Sequence, residues 1–205
     1  MNIHLSLPRM RARDENKIEA LREKAIEMIV SEGFDGLSMQ KLAKAANVSP
    51  ATIYIYYKNR EDLLNQLFNH VHRIFTTETL KGFDPEGSFE AGLWTQWQNR
   101  FRYIKKYPVH FQFLEQFRNS PLVNHDAVVM SEFKEQMRTF VRNAMKRGDI
   151  PRMEPEIFWS VSYGSFYTLI KFHLAQKSMM NKNFTLTEAT LKQTFRMVLA
   201  ALHSK

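Results

Sequence analysis

The 205 residues include no cysteine, 44% are hydrophobic, 24% are charged, and the net charge is +8. A chain of this length buries a sizeable core, and its composition excludes the disordered and fibrous classes. Without cysteine it forms neither disulfides nor thiolate metal sites, which suits a reducing cytoplasm.

The positive charge favours an acidic partner. Through residue 80 there are 11 basic and 10 acidic residues, and beyond it 18 and 11, so the bulk of the excess lies in the C-terminal part. The local pattern points the other way. From Ser38 to Arg60 there is no Asp or Glu, while Lys41, Lys44, Lys58 and Arg60 are basic. Glu27, Glu32, Asp35, Glu61 and Asp62 crowd just outside. A surface that approaches phosphates has to exclude carboxylates.

In chain order the periodic segments are helical. Residues 1–8 lack the basic start and apolar run of a signal peptide. Arg9, Arg11 and Arg13 form an alternating basic arm, which is either solvated or inserted into a minor groove. A helix over 14–32 puts Ile18, Leu21, Ala25, Met28 and Ile29 on one face, with Asp14 as N-cap and Gly33 as its end. Ser38 caps a short helix bearing Met39, Leu42, Ala43 and Ala46. Asn47 and Val48 turn the chain, and Ser49 caps a third helix with Pro50 in its first position. Asn59 caps a fourth over 60–79, and Gly82, Pro85 and Gly87 mark a linker. Helices follow over 88–106, 108–119, 126–147, 155–177 and 187–203, and no run of alternating β-branched residues suggests a strand. The apolar stretch 157–175 contains Ser160, Ser162, Ser165, Lys171 and His173, so it reads as a buried helix and not a membrane span. The fold class is all-α, with one unit over 1–80 and a larger helical one over 81–205.

The second and third helices have the makings of a helix-turn-helix. Ala43, Ala45 and Ala46 allow a close crossing, Leu42, Val48 and Ile53 lock it, and Tyr54 and Tyr56 point away from the inward Ile53 and Tyr57. An ordinary helical hairpin with an aromatic core fits the same periodicity. The residues themselves are more specific. The segments Gly33-Phe34, Leu37-Ser38-Met39-Gln40-Lys41-Leu42-Ala43, Ala46-Asn47-Val48-Ser49 and Thr52 through Leu64 resemble the DNA-binding domain of the TetR/AcrR family in order and spacing. Two positions depart from the family pattern. Asn47 stands where the family has Gly, and Asn tolerates left-handed dihedrals. Arg60 stands where the family has Lys, and Arg also clamps phosphate.

The resemblance implies a double-stranded DNA operator as partner. It gives Ser38 and Thr52 to phosphates, Gln40 to a base edge or phosphate, and Ala51, Tyr54, Ile55 and Tyr56 to the groove, with Lys58 and Arg60 on the backbone. The N-terminus of the fourth helix would add an anion site.

Beyond residue 80 there are 13 Phe, 3 Trp and 4 Tyr. Most such aromatics are core. The resemblance implies a pocket for a small-molecule effector among these helices, and the candidate lining is Trp94, Trp97, Phe101, Phe113, Phe117, Phe140, Tyr163 and Tyr167. Arg100, Arg102 and Arg118 would favour an anionic amphipathic ligand or lie on the surface. Ser160, Gly164 and Thr168 form a small-residue stripe, and Phe195, Val198 and Leu202 an apolar one. The resemblance implies a homodimer interface there, which makes the second unit a ligand-binding and dimerisation domain. Catalysis has no convergent set to rest on: His70 and His72 diverge on a helix, and there is no HExxH, phosphate loop or nucleophile elbow. No cofactor, metal or membrane is expected. A TetR-like adaptor that binds a protein is the alternative to a sensor.

Overall fold

A computed structural model describes residues 7–118, 120, 131–180 and 182–203, with the side chains of 7–14 and 131 outside that description. Its helices are α1 (Leu7–Glu32), α2 (Met39–Ala45), α3 (Pro50–Tyr56), α4 (Arg60–Thr79), α5 (Phe89–Lys106), α6 (Pro108–Arg118), α7 (Ser131–Arg147), α8 (Pro155–Ala175) and α9 (Glu188–His203). The fold is all-α. Among the described residues the sole β element is an isolated antiparallel bridge, Lys177 to Asn183.

Helix boundaries follow the local chemistry. Ser38 Oγ accepts from Lys41 N at 3.1 Å and Ser49 Oγ from Thr52 N at 3.2 Å, so both cap as expected. Asn59 Oδ1 accepts from Asp62 N at 2.8 Å, and Asp62 in turn accepts from Lys58 N at 2.8 Å. Gly33 (φ 76°) and Gly148 (φ 77°) end their helices in the left-handed region, and Asn47 adopts φ 53° in the turn, where glycine is the usual residue. α1 corrects the expectation: it starts seven residues before Asp14, because Arg, Met and Ala all favour helix. Arg9, Arg11 and Arg13 are therefore on a helix and not a free arm, and their side chains lie outside the described residues. The 126–130 portion of the expected seventh helix lies outside them too. A 3-10 turn, Phe34–Gly36, lies between α1 and α2.

The chain divides into two compact units, one of residues 1–74 and 107–129, the other of 75–106 and 130–205. The boundary falls inside α4, and α6 joins the N-terminal unit, whereas a division at residue 80 puts α6 in the second. In the first unit α6 packs on α1. Phe117 meets Phe68 at 4.6 Å and Phe34 at 5.7 Å between ring centroids, and Gln116 Nε2 donates to Val30 O at 3.1 Å. In the second unit α8 packs on α9 and α5 on α7. The carbonyl of Thr79, at the open end of α4, accepts from Gln96 Nε2 and Asn99 Nδ2, both at 2.9 Å, which satisfies an acceptor that a helix end leaves free.

Candidate nucleic-acid interface and ligand cavity

α2 and α3 are held by a small buried seam of Met39, Leu42, Ala43, Ile53 and Tyr57. Fixing Ile53 and Tyr57 inward turns the rest of α3 outward. Tyr54 is 54% and Ile55 74% exposed, far more than apolar side chains of this size need be. Pro50 and Ala51 are also exposed, and Thr52 and Tyr56 half-exposed. Gln40, Lys41, Lys44 and Lys58 are exposed as well. Of these cations Lys41 has a carboxylate neighbour, Glu32 at 3.7 Å. Ser38 and Thr52 are already used in capping contacts, Thr52 Oγ1 lying 2.9 Å from Ser49 Oγ. The result is a polar and aromatic face, free of acids across α2, the turn and α3.

Arg60 departs from its expected role. Its Nε donates to Leu37 O at 3.0 Å and its Nη2 to Phe34 O at 2.5 Å. The guanidinium is thus spent on the loop between α1 and α2, and it fastens that loop to the start of α4. No sequence signal marks these carbonyls as acceptors, because they lie more than 20 residues away.

Behind the interface, α1 is tied to α4 and α6 by half-buried polar pairs. Glu19 lies 3.3 Å from His70 Nε2, and Glu23 lies 3.0 Å from His110 Nε2. Burial pushes the His70 pKa down, and Glu19 pulls against it without winning. Glu19, Glu23 and His70 each present one possible metal-ligand atom, all within 4.8 Å of one another. Glu19 also pairs with Arg22 and Glu23 with His110, whereas His70 Nε2 has no hydrogen-bond partner among the described residues. Burial likewise raises the Tyr57 hydroxyl, with Arg22 beside it acting in the opposite sense.

The expected effector-binding aromatics are not gathered in one place. Phe113 and Phe117 are core residues of the first unit. Trp97 is fully buried in the second, its Nε1 donating to Ser162 O at 3.0 Å. Phe140 is packed between Phe83 and Phe89. Trp94 lies against Phe195, and Phe101 edges onto His173. Tyr163 and Tyr167 lie instead beside Arg100. Helical periodicity identifies an apolar stripe but not the element that covers it, which is why core and pocket were not separable.

A groove of about 940 Å³ lies between α7 and the start of α8. Phe133, Met137, Val141, Met145, Phe158 and Trp159 supply an apolar floor, and Lys134, Arg138, Arg142, Lys146 and Arg152 a basic rim interrupted by Glu154. Phe133 and Trp159 also touch a fully buried cation. Arg100 is 1% exposed, and Phe75, Phe133, Trp159 and Tyr163 surround its guanidinium. Burial pushes the Tyr163 hydroxyl up to about 12 while Arg100 acts to lower it. The signal for Arg100 was present in the sequence: Leu93, Gln96, Trp97, Arg100, Tyr103 and Ile104 share one buried face of α5.

The dimer candidates separate as well. Ser160, Gly164 and Thr168 are exposed on α8, and a Cβ at Gly164 would meet nothing within 4 Å. Phe195, Val198 and Leu202 are buried within the subunit, Phe195 against Trp94 and Trp97. They are core residues of one chain and not an exposed seam. The outward side of α9 carries Ala189, Gln193, Met197 and Ala200 instead, with Met197 68% exposed.

No helix among the described residues is long and apolar enough to cross a membrane. The family of bacterial regulatory proteins of tetR type matches residues 21–67. An HTH-type transcriptional regulator of Haemophilus influenzae is 30% identical over 135 residues, 66% of this chain and 71% of that relative. A negative transcriptional regulator of a biofilm operon in Staphylococcus epidermidis, IcaR, is 27% identical over 109 residues, 50% of this chain and 57% of that one. A solved TetR-family transcription regulator from Marinobacter aquaeolei superposes with a TM-score of 0.78 at 25% identity, over 95% of this chain and 100% of its own.

Proposed function

This chain belongs to the TetR family of transcriptional regulators, and from that premise we propose that it is a repressor released from its operator by a small amphipathic molecule. It acts in the cytoplasm as a homodimer, and each subunit sets α3 in the major groove of one half of a pseudo-palindromic site. The observation that carries the DNA assignment is the exposure of Tyr54 and Ile55 on a helix whose opposite side is locked by Ile53 and Tyr57. Ala51 and Ile55 suit contacts to thymine methyl groups, and Lys58 suits a phosphate. Negative control by the Staphylococcus relative supports the repressor reading.

The α7–α8 groove supports the sensor reading, since a concave apolar floor bordered by charged groups that can orient a ligand has the character of a ligand site. The bare α8 stripe and the outward side of α9 would meet their copies across a twofold axis. An effector acts only if it prefers one conformer, and a preference of about 1.4 kcal/mol shifts the equilibrium tenfold. The test is selection of bound duplexes from a random pool, followed by Tyr54→Ala and Tyr56→Ala. Each variant is expected to lose affinity for the selected site and keep its nonspecific binding. Unchanged affinity for the selected site would overturn the assignment.

A further inference from the structure

Arg100 is a buried cation without a carboxylate among the described residues. It is stacked and not neutralised: its guanidinium carbon lies 4.6 Å from the Tyr163 ring centroid, 5.2 Å from those of Phe75 and Phe133, and 5.5 Å from that of Trp159. Ring faces attract the cation through its flat surface, but they accept nothing from the N–H groups in its plane. Of those, Nη1 donates to the Tyr167 hydroxyl at 2.8 Å. Among the described residues Nε and Nη2 have no hydrogen-bond acceptor. These two nitrogens share one edge of the planar group, the edge that meets a carboxylate through two parallel N–H···O bonds. Buried donors left open are costly, and charged ones more so.

Two of the four cage rings, Phe133 and Trp159, also line the α7–α8 groove. These two rings connect the Arg100 cage to the apolar floor and basic rim of the groove within the second unit. We infer that Arg100 receives the carboxylate of an apolar monocarboxylic acid whose body lies in that groove. One guanidinium edge in an aromatic cage matches a flat, singly charged group with two oxygens. A phosphate dianion asks for more donors and more charge than this edge supplies. The inference rests on the reading of these helices as a sensor and names the chemistry of the effector.

The test uses the full chain and two acid–alcohol pairs of different shape: decanoate with 1-decanol, and 2-naphthoate with 2-naphthalenemethanol. Calorimetric titration is expected to show at least one acid bound about tenfold more tightly than its alcohol. Arg100→Met fills the cage with an uncharged side chain. It is expected to abolish that preference and leave binding of the alcohol unchanged. Arg100→Lys keeps the charge without the planar fork and is expected to fall between the two, so it carries the test if the Met variant does not fold. Failure of the wild type to bind either acid overturns the inference, as does an acid preference that survives in both variants.

Release of the selected operator, measured separately, keeps the two readings apart. Acids that bind through Arg100 without releasing DNA uphold the inference and sink the sensor. Release by the alcohols alone, unaffected in Arg100→Met, does the reverse.

Discussion

The Phe140 ring is seated so closely on the backbone of Gly92 that a Cβ there would stand 2.5 Å from its Cε2. The contact joins α5 to α7, and Phe83 and Phe89 close around the same ring. Gly92 is otherwise a poor helix residue, about 1 kcal/mol worse than Ala. Gly92→Ala is expected to destabilise the second unit by about 1–3 kcal/mol despite that gain, because a packed ring has to move. Denaturant unfolding followed by tryptophan fluorescence reads the change. A more stable variant would show that Phe140 yields freely.

Arg60 and Lys58 are expected to behave differently although both carry positive charge at the start of α4. Arg60→Ala breaks two hydrogen bonds from a charged donor, and a loss of about 2–3 kcal/mol in stability follows. The Lys58 side chain is exposed and makes no ion pair among the described residues, so Lys58→Ala is expected to leave stability unchanged and to lower the salt dependence of DNA binding by about one unit of slope. Thermal melts and binding isotherms at several salt concentrations separate the two. An Arg60→Ala protein as stable as wild type would remove its structural role.

His70 makes the stability pH-dependent. Glu19, Arg22 and Glu23 face it from α1, and His110 acts on it from α6. Burial lowers its pKa in the folded chain, so the unfolded chain takes up the proton first, at a pH near 6.5. Stability is full above that value and falls as pH drops through the window between the unfolded and folded pKa. His70→Gln is expected to flatten the decline between about pH 7.5 and 5.5. Urea midpoints across that range measure it, and parallel curves for the two proteins would disprove the assignment.

Gly164 gives a clean test of assembly. The space around it is open in the subunit, so Gly164→Trp is expected to fold normally and fail to dimerise. Sedimentation at micromolar concentration reads the mass. A wild-type monomer would refute the interface, and a dimeric variant would move it elsewhere.

Capping and turn chemistry were legible because they are local. Ser38, Ser49, Asn59 and Asn47 act within three or four residues, and their side chains announce it. The long-range partners were not legible. Phe117 and Phe140 sit in similar apolar stripes, yet one packs on Phe68 and the other on Gly92. Phe195 and Met197 are two apart on α9, and only the packing against Trp97 says which of them is inside. Arg60 read as a phosphate clamp because an arginine looks the same in sequence whether its fork meets a carbonyl or a ligand.

That α6 belongs to the N-terminal unit bears on how such a protein can be taken apart. The DNA-reading head is not a contiguous cassette. A graft cut at residue 80 would carry Phe34 and Phe68 without Phe117, and Val30, Glu23 and α1 without Gln116 and His110. A working chimera has to transplant α6 along with the head and rejoin the foreign sensor on both sides of it. Recombination between regulators of this build is therefore constrained to three crossovers, one inside α4, one between α5 and α6 and one beyond α6.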